Sequence, residues 1–246
     1  MAMLLAPSYE TTIAEWRREH QKEVDGWLTY AGLTWLDPGR NEVRGQIFEF
    51  REGQVYSSGR ALKPDSDDNP DLITAADGSK LVAVVRGDKT GIRVKDANSS
   101  YRRGFKGLKW WPVQPGYRVE AKFTTYPEPK TLPVANVLGI VEQRINVGYA
   151  EFSLRGEKLR MEAVVSGKEL FYPFRDRTAG KQTYPAVRFL YSDYPKDGGV
   201  TLDFNKAHNP ACAFTDYATC PLPPKQNILP VPIEAGEIYA PELYPK

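Results

Sequence analysis

Seven polar residues that could hold a ligand or each other fall within one stretch of this chain: Arg175, Asp176, Tyr184, Arg188, Asp203, Asn205 and Asn209. Arginine presents a planar fork of donors that matches carboxylate and phosphate oxygens. These groups are interleaved with apolar, strand-forming residues, and polar groups facing a core are costly unless paired. Two arrangements fit. In the first, the groups form a buried scaffold network, and breaking it by Arg188→Met or Asp203→Asn costs about 3–5 kcal/mol. In the second, they converge on a pocket for a small ligand, anionic where the arginines grip it, with Arg103 as a third cation. Arg175 and Asp176 are adjacent and would point to opposite faces of a regular strand. Tyr184 and Arg188 would share a face of an extended segment, and so would Asp203 and Asn205.

Other chemistry is sparse. A hydrolase-type enzyme with Asp176 or Asp203 as general base is the alternative reading, since such a base is a carboxylate set beside a substrate proton. A structural or interaction module without a pocket is a third. Whether the chain is an enzyme is open, and no catalytic residue can be singled out. There is no Gly-x-Ser-x-Gly elbow and no phosphate-cradling loop. The histidines are His20 and His208. His20 lies on an apolar helical stripe and reads as packing. His208, Cys212 and Cys220 are the only clustered soft ligands, but zinc sites commonly bring two cysteines two to four residues apart. We expect two buried thiols, with no metal and no cofactor. Asp65, Asp67, Asp68 and Asp71 lack the glycine and glutamate of a calcium-binding EF-hand loop and read as a solvated acidic loop. Pro38-Gly39 before Asn41 reads as a turn.

Elements of recognisable type must carry these residues. Ile13, Trp16, His20, Val24 and Trp27 recur every three or four positions, the stripe of an amphipathic helix. Thr12 and Glu15 have the spacing of a capping box. Beyond Gly39 the period becomes two. Residues 46–50 and 54–56 read as a hairpin across Glu52-Gly53. Residues 81–85 and 92–94 read as another, with a longer loop from Gly87 to Gly91. Tyr117, Val119, Ala121 and Phe123 alternate with Arg118, Glu120 and Lys122, as in a half-buried strand. Residues 150–174 read as a three-strand meander turning at Arg155-Gly156 and Ser166-Gly167, and residues 200–204 as a further strand. Seven prolines from Pro221 to Pro245 exclude a helix interior or central strand there. The apolar Ile228, Leu229, Val231 and Ile233 between them imply an extended strap packed on the body.

The expected fold is mainly β: an antiparallel sandwich or barrel-like body with one N-terminal helix. The chain reads as one domain over 1–246, with the helix at 8–30, the β body at 40–210 and the strap at 211–246. Its hydrophobic share of 41% is ample for a core, so disorder of the whole chain is not expected. Basic and acidic residues nearly balance, 33 against 31, and no concentrated basic run stands out, so a nucleic-acid partner is not expected. No apolar run is long enough to span a membrane. Met1 to Ala6 is too short for a signal peptide. A cytoplasmic location and no membrane partner are the expectation; the oligomeric state is open.

Four segments resemble one family. They are Gly32-Leu33-Thr34-Trp35-Leu36 leading to Gly39 and Asn41, and Ile92-Arg93-Val94-Lys95-Asp96 through Arg103-Gly104-Phe105-Lys106-Gly107-Leu108. The third is Val134-Ala135-Asn136-Val137-Leu138-Gly139. The fourth runs from Phe174-Arg175-Asp176 through Thr183-Tyr184, Arg188-Phe189-Leu190-Tyr191, Leu202-Asp203-Phe204-Asn205 and Asn209-Pro210-Ala211-Cys212-Ala213-Phe214. It continues through Tyr217 to Pro224 and ends near Asn227, Leu229-Pro230 and Gly236-Glu237. Together they make the chain similar to the uncharacterised family known as domain of unknown function 1684. The resemblance implies no activity, and points to the fourth segment as the place to look.

Overall fold

A computed structural model describes residues 7–244; Met1 to Ala6 and Pro245 lie outside the described residues. Helix α1 spans Tyr9–Trp27. The first strands are β1 (Tyr30–Trp35), β2 (Gly39–Val43), β3 (Gln46–Arg51), β4 (Gln54–Ser57), β5 (Arg60–Ala61), β6 (Ile73–Thr74), β7 (Lys80–Arg86) and β8 (Lys89–Lys95). A short helix α2 (Ser100–Gly104) and β9 (Lys109–Trp110) lead to β10 (Arg118–Ala135), β11 (Val141–Leu154), β12 (Glu157–Ser166) and β13 (Glu169–Phe174). The last strands are β14 (Arg188–Ser192), β15 (Gly199–Asp203) and β16 (Glu237–Ile238).

The fold is mainly antiparallel β with one long N-terminal helix, as the periodicities imply. The principal sheet has the order β14-β13-β12-β11-β10-β15 and curls into a half-barrel. Its inner face follows the two-residue period: Ala121 and Phe123 on β10, Ala150 and Phe152 on β11, Met161 and Ala163 on β12, Leu170 and Tyr172 on β13, Leu190 on β14 and Leu202 on β15 are all buried in one core. A second core is built by β1-β8-β7-β6 and β2-β3-β4-β5 around Phe48, Leu81 and Ile92.

Several local expectations are corrected. The helix is capped by Ser8, whose side chain accepts from the Thr11 backbone N–H, so the Thr12–Glu15 box is not used. The β7–β8 strands pair out to Arg86 and Lys89, leaving the two-residue turn Gly87-Asp88 in place of a long loop. Asp65 is not solvated. It accepts a forked pair of hydrogen bonds from Arg86, at 2.9 and 2.7 Å, and a third at 2.6 Å from the buried Arg93. Asp71 pairs with Arg60 at 2.9 Å, while Asp67 and Asp68 are exposed.

The proline-rich strap does pack on the body. Leu229, Val231, Ile233 and Ala235 enter the main core. Proline leaves this segment short of backbone donors, so one of its own side chains ties it to the body. The fully buried Asn227 accepts from the Glu162 N–H at 2.7 Å and donates to the carbonyls of Glu162 and Pro173, each at 3.0 Å. Farther on, Gly236 has a φ of +81°, and a Cβ there would sit 2.2 Å from the Ala207 carbonyl and 2.7 Å from that of Phe204. Only glycine lets the strap approach this segment. Gly236→Ala is expected to lower the unfolding free energy by about 2–4 kcal/mol, from a positive φ and backbone overpacking. Gly26→Ala, at an open helical position, is expected to raise it by about 0.5–1 kcal/mol; urea denaturation of the two variants reads both.

Candidate functional site: a cleft under the helix

The residues singled out in the sequence separate into three places. Arg188 begins β14 on the inner face and is buried, as is Asp176. Its guanidinium donates to Asp176 at 3.0 Å, to the Ile233 carbonyl at 3.0 Å and, in a short contact, to the Ala235 carbonyl. Burial pulls the Arg188 value down while Asp176 pulls it back up. Asp176 also accepts from the backbone N–H and hydroxyl of Thr178. This buried network, in which the Arg188 Nε alone of the guanidinium nitrogens has no partner among the described residues, ties the strap across the end of the half-barrel.

Asp203 and Asn205 meet on the other face. Asp203 ends β15 and caps the next turn, accepting from the Asn205 N–H at 3.1 Å. Tyr9 of the helix donates to Asp203 at 2.8 Å and accepts from the Asn205 amide at 2.9 Å. Burial, then the hydrogen bond to Asp203, pushes the Tyr9 phenol far above its ordinary value. Tyr184 does not share a strand face with Arg188, because β14 starts only at Arg188. Burial and Cys212 push its phenol up. Asn209 bridges the Tyr184 N–H at 3.4 Å and the Ile238 carbonyl at 3.3 Å. Arg103 and Arg175 are exposed, and neither joins the buried groups. Cys212 and Cys220 are buried thiols; the Cys212 N–H meets the Cys220 sulfur at 3.1 Å, and burial pushes the Cys220 thiol well up.

A different group of residues lines a cleft of about 770 Å³ between α1 and the outer face of β14 and β15. Because strand side chains alternate, Phe189 and Tyr191 face outward from β14 while Leu190 faces the core. Trp16, Glu23 and Trp27 descend from the helix, and His208 forms part of the wall. His208 pairs through its backbone with Phe189, in both directions, at 2.9 and 3.0 Å. Of the residues expected at a site, Asp203 lines this cleft; Asp176 and Arg188 do not.

His208 and His20 are the features that sequence reading passed over. Their rings are 4.3 Å apart between centroids, with Trp16 5.7 Å and Tyr191 6.0 Å from His208. The Nδ1 of His208 is 3.1 Å from the Lys206 carbonyl. A carbonyl can only accept, so Nδ1 carries the proton and Nε2 of the neutral ring keeps its lone pair. Burial, then the charge of His20, holds His208 well below the ordinary histidine value. His20 behaves oppositely. Burial pushes it down, but the carboxylates of Glu23, 3.2 Å from Nδ1, and Glu237, 3.4 Å from Nε2, outweigh burial and raise it. Glu237 is fully buried; one oxygen accepts from the Asn209 N–H at 2.9 Å, and the other has no hydrogen-bond partner among the described residues. A signal was available: both histidines lie next to aromatic or amide-rich segments, but nothing in their spacing says that positions so far apart meet.

The chain is thus a mainly antiparallel β protein with a helix-roofed, aromatic-walled cleft. It belongs to the family described as protein of unknown function (DUF1684), whose model matches residues 103–238. The match includes Arg188, His208 and Glu237; the similar segment Gly32 to Leu36 falls outside it. A solution NMR structure of an uncharacterized protein from Haloarcula marismortui is 35% identical, over 56% of this chain and 78% of that one, with a TM-score of 0.47. Comparison with curated proteins found no match. Among the described residues, no helix is long and apolar enough to cross a membrane, and no group of three or more His, Cys, Asp or Glu side chains is placed to hold a metal ion.

Arg188→Met is expected to cost about 3–5 kcal/mol, because it strands the Asp176 carboxylate in the core. Adding Asp176→Leu should recover part of that loss in urea denaturation. The histidines predict opposite pH slopes. His208 is neutral when folded but protonates near pH 6.5 when unfolded, so stability falls below about pH 6.5. The raised value of His20 gives stability that is complete below about pH 6.5 and is lost as pH rises through its folded value. Unfolding free energies measured across pH should show the acid-side loss reduced in His208→Gln and the alkaline-side loss reduced in His20→Gln.

Proposed function

We propose that this chain binds a small polar ligand in the cleft under α1, with residues 1–246 acting as one β-rich unit. The observation that carries this is the neutral His208 ring in the wall of a 770 Å³ cleft, its tautomer fixed so that an acceptor is available to a bound molecule. The volume lies in the range of about 300–1,000 Å³ usual for small-molecule sites. Aromatic side chains supply the apolar contact, and a few charged groups supply orientation. The alternative of a hydrolase with a carboxylate base has less support. Asp176 is shut behind Arg188, and Asp203 is already an acceptor for Tyr9 and Asn205. The grip of Arg188 on an anionic ligand is likewise unsupported, since its guanidinium is buried in the core against Asp176 and the strap and does not line the cleft. The buried, reduced thiols of Cys212 and Cys220 suit a cytoplasmic setting.

A panel of small amines, carboxylates, phosphates and sugars is to be titrated against the protein by thermal shift and amide NMR. At least one class should perturb Glu23, Trp27, Tyr191 and His208 saturably, and at about one hundred times its Kd should add roughly 2.7 kcal/mol of stability. Binding should weaken in His208→Phe. Perturbations confined elsewhere, or none at all, would remove this reading.

A further inference from the structure

Glu169 and Asp193 stand where two carboxylates should not. Strands β13 and β14 pair Leu170 with Ser192 and Phe171 with Tyr191. The same register, continued one residue outward, sets Glu169 opposite Asp193. Like charges directly across a strand pair are destabilising, and among the described residues neither carboxylate has a cation within ion-pair distance. Both line the cleft, and Glu23 lines it from the helix. Glu169 is held above the usual carboxylate range by burial, then by the charges of Asp193 and Glu23, with only Lys206 opposing. The other basic groups of the cleft are occupied: Lys22 with Glu19 at 2.8 Å and Arg118 with Glu120 at 3.2 Å, while Lys95 lies against the Tyr30 ring. The independent observation is His208. It is 4% exposed, it forms part of the cleft wall, and its second ring nitrogen is an acceptor. Two carboxylates without a cation, with Glu23 beside them already held by His20, and an imidazole lone pair make a set of acceptors that asks for donors and positive charge. Trp16 and Trp27, beside them, offer the electron-rich faces that attract cations.

We propose that this end of the cleft binds the ammonium group of a small organic amine, with the amine's apolar body against Trp16 and Trp27. The proposal rests on the cleft being a ligand site and names the class of ligand. An amine fits better than a metal ion because the carboxylates face one another across strands and do not converge as ligands around one point. The repulsion between Glu169 and Asp193 is then a cost of the empty protein that the bound ammonium relieves.

Three probes of one shape separate the readings: benzylamine, benzyl alcohol and benzoate, titrated calorimetrically near neutral pH into the wild-type chain and the Glu169→Gln/Asp193→Asn variant. Both substituted residues are exposed, and thermal unfolding of the unliganded variant should be unchanged or higher, since a repulsion is removed. Benzylamine should bind wild type at least about tenfold more tightly than either other probe, a gap of about 1.4 kcal/mol. That preference should disappear in the variant, with benzyl alcohol unaffected. Benzoate binding as well as benzylamine, or benzylamine binding equally to both proteins, overturns the amine proposal and leaves the cleft reading standing. If no probe binds either protein, the amine proposal falls, and the wider panel of carboxylates, phosphates and sugars decides the cleft reading. Should the double variant unfold early, the single Glu169→Gln titration decides by the same criterion.

Discussion

A guanidinium without solvent holds this structure together. Arg188 projects from the start of β14 into the half-barrel, where its charge must be met at once or excluded. Asp176 meets the charge, and the carbonyls of Ile233 and Ala235 take remaining donors. A strap rich in proline has carbonyls to offer and few N–H groups, so a side chain with five donors is its natural partner. Once the strap is pinned there, Gly236 passes under the Ala207 carbonyl and Glu237 lies inside the protein beneath the helix. Glu237 then meets His20, and α1 has a charged anchor as well as an apolar stripe.

The two histidines divide the electrostatic work of the cleft. His20 sits between carboxylates that raise its value, while burial, then the charge of His20, holds His208 low. Such pairs, whose surroundings drive their titrations apart, give one group a fixed charge and the other a fixed lone pair. The cleft therefore has an acceptor whose state does not change with modest changes of pH.

Much of the scaffold was legible in the sequence because it depends on local periods. The 3.6-residue stripe marks α1, and the two-residue alternation marks β10 through β13. Prolines with apolar residues between them mark the strap. Features set by distant partners were not legible. Asp65 looked like one of several solvated aspartates, and only the folded chain brings Arg86 and Arg93 to it. Arg188 could be recognised as a group needing a partner, but its partners include backbone carbonyls, which every residue carries. The cleft was missed for the same reason. His20, His208 and Glu237 belong to a helix, a bridge beside β14 and the strap, and no spacing rule connects them. Arg103 and Arg175 belong to the segments that resemble the family, yet the chain turns both outward.

The contact between Tyr9 and Asp203 joins residues 194 positions apart. On a ribosome adding about 5–20 residues each second, the helix therefore emerges roughly 10–40 s before the strand that receives it. For that interval the Tyr9 end of the helix lacks the partner that anchors it. Loop closure over so long a separation makes folding slow relative to a helical bundle of the same size. The cleft draws on α1 and on residues beyond β15, so no fragment that stops before His208 contains all of its walls.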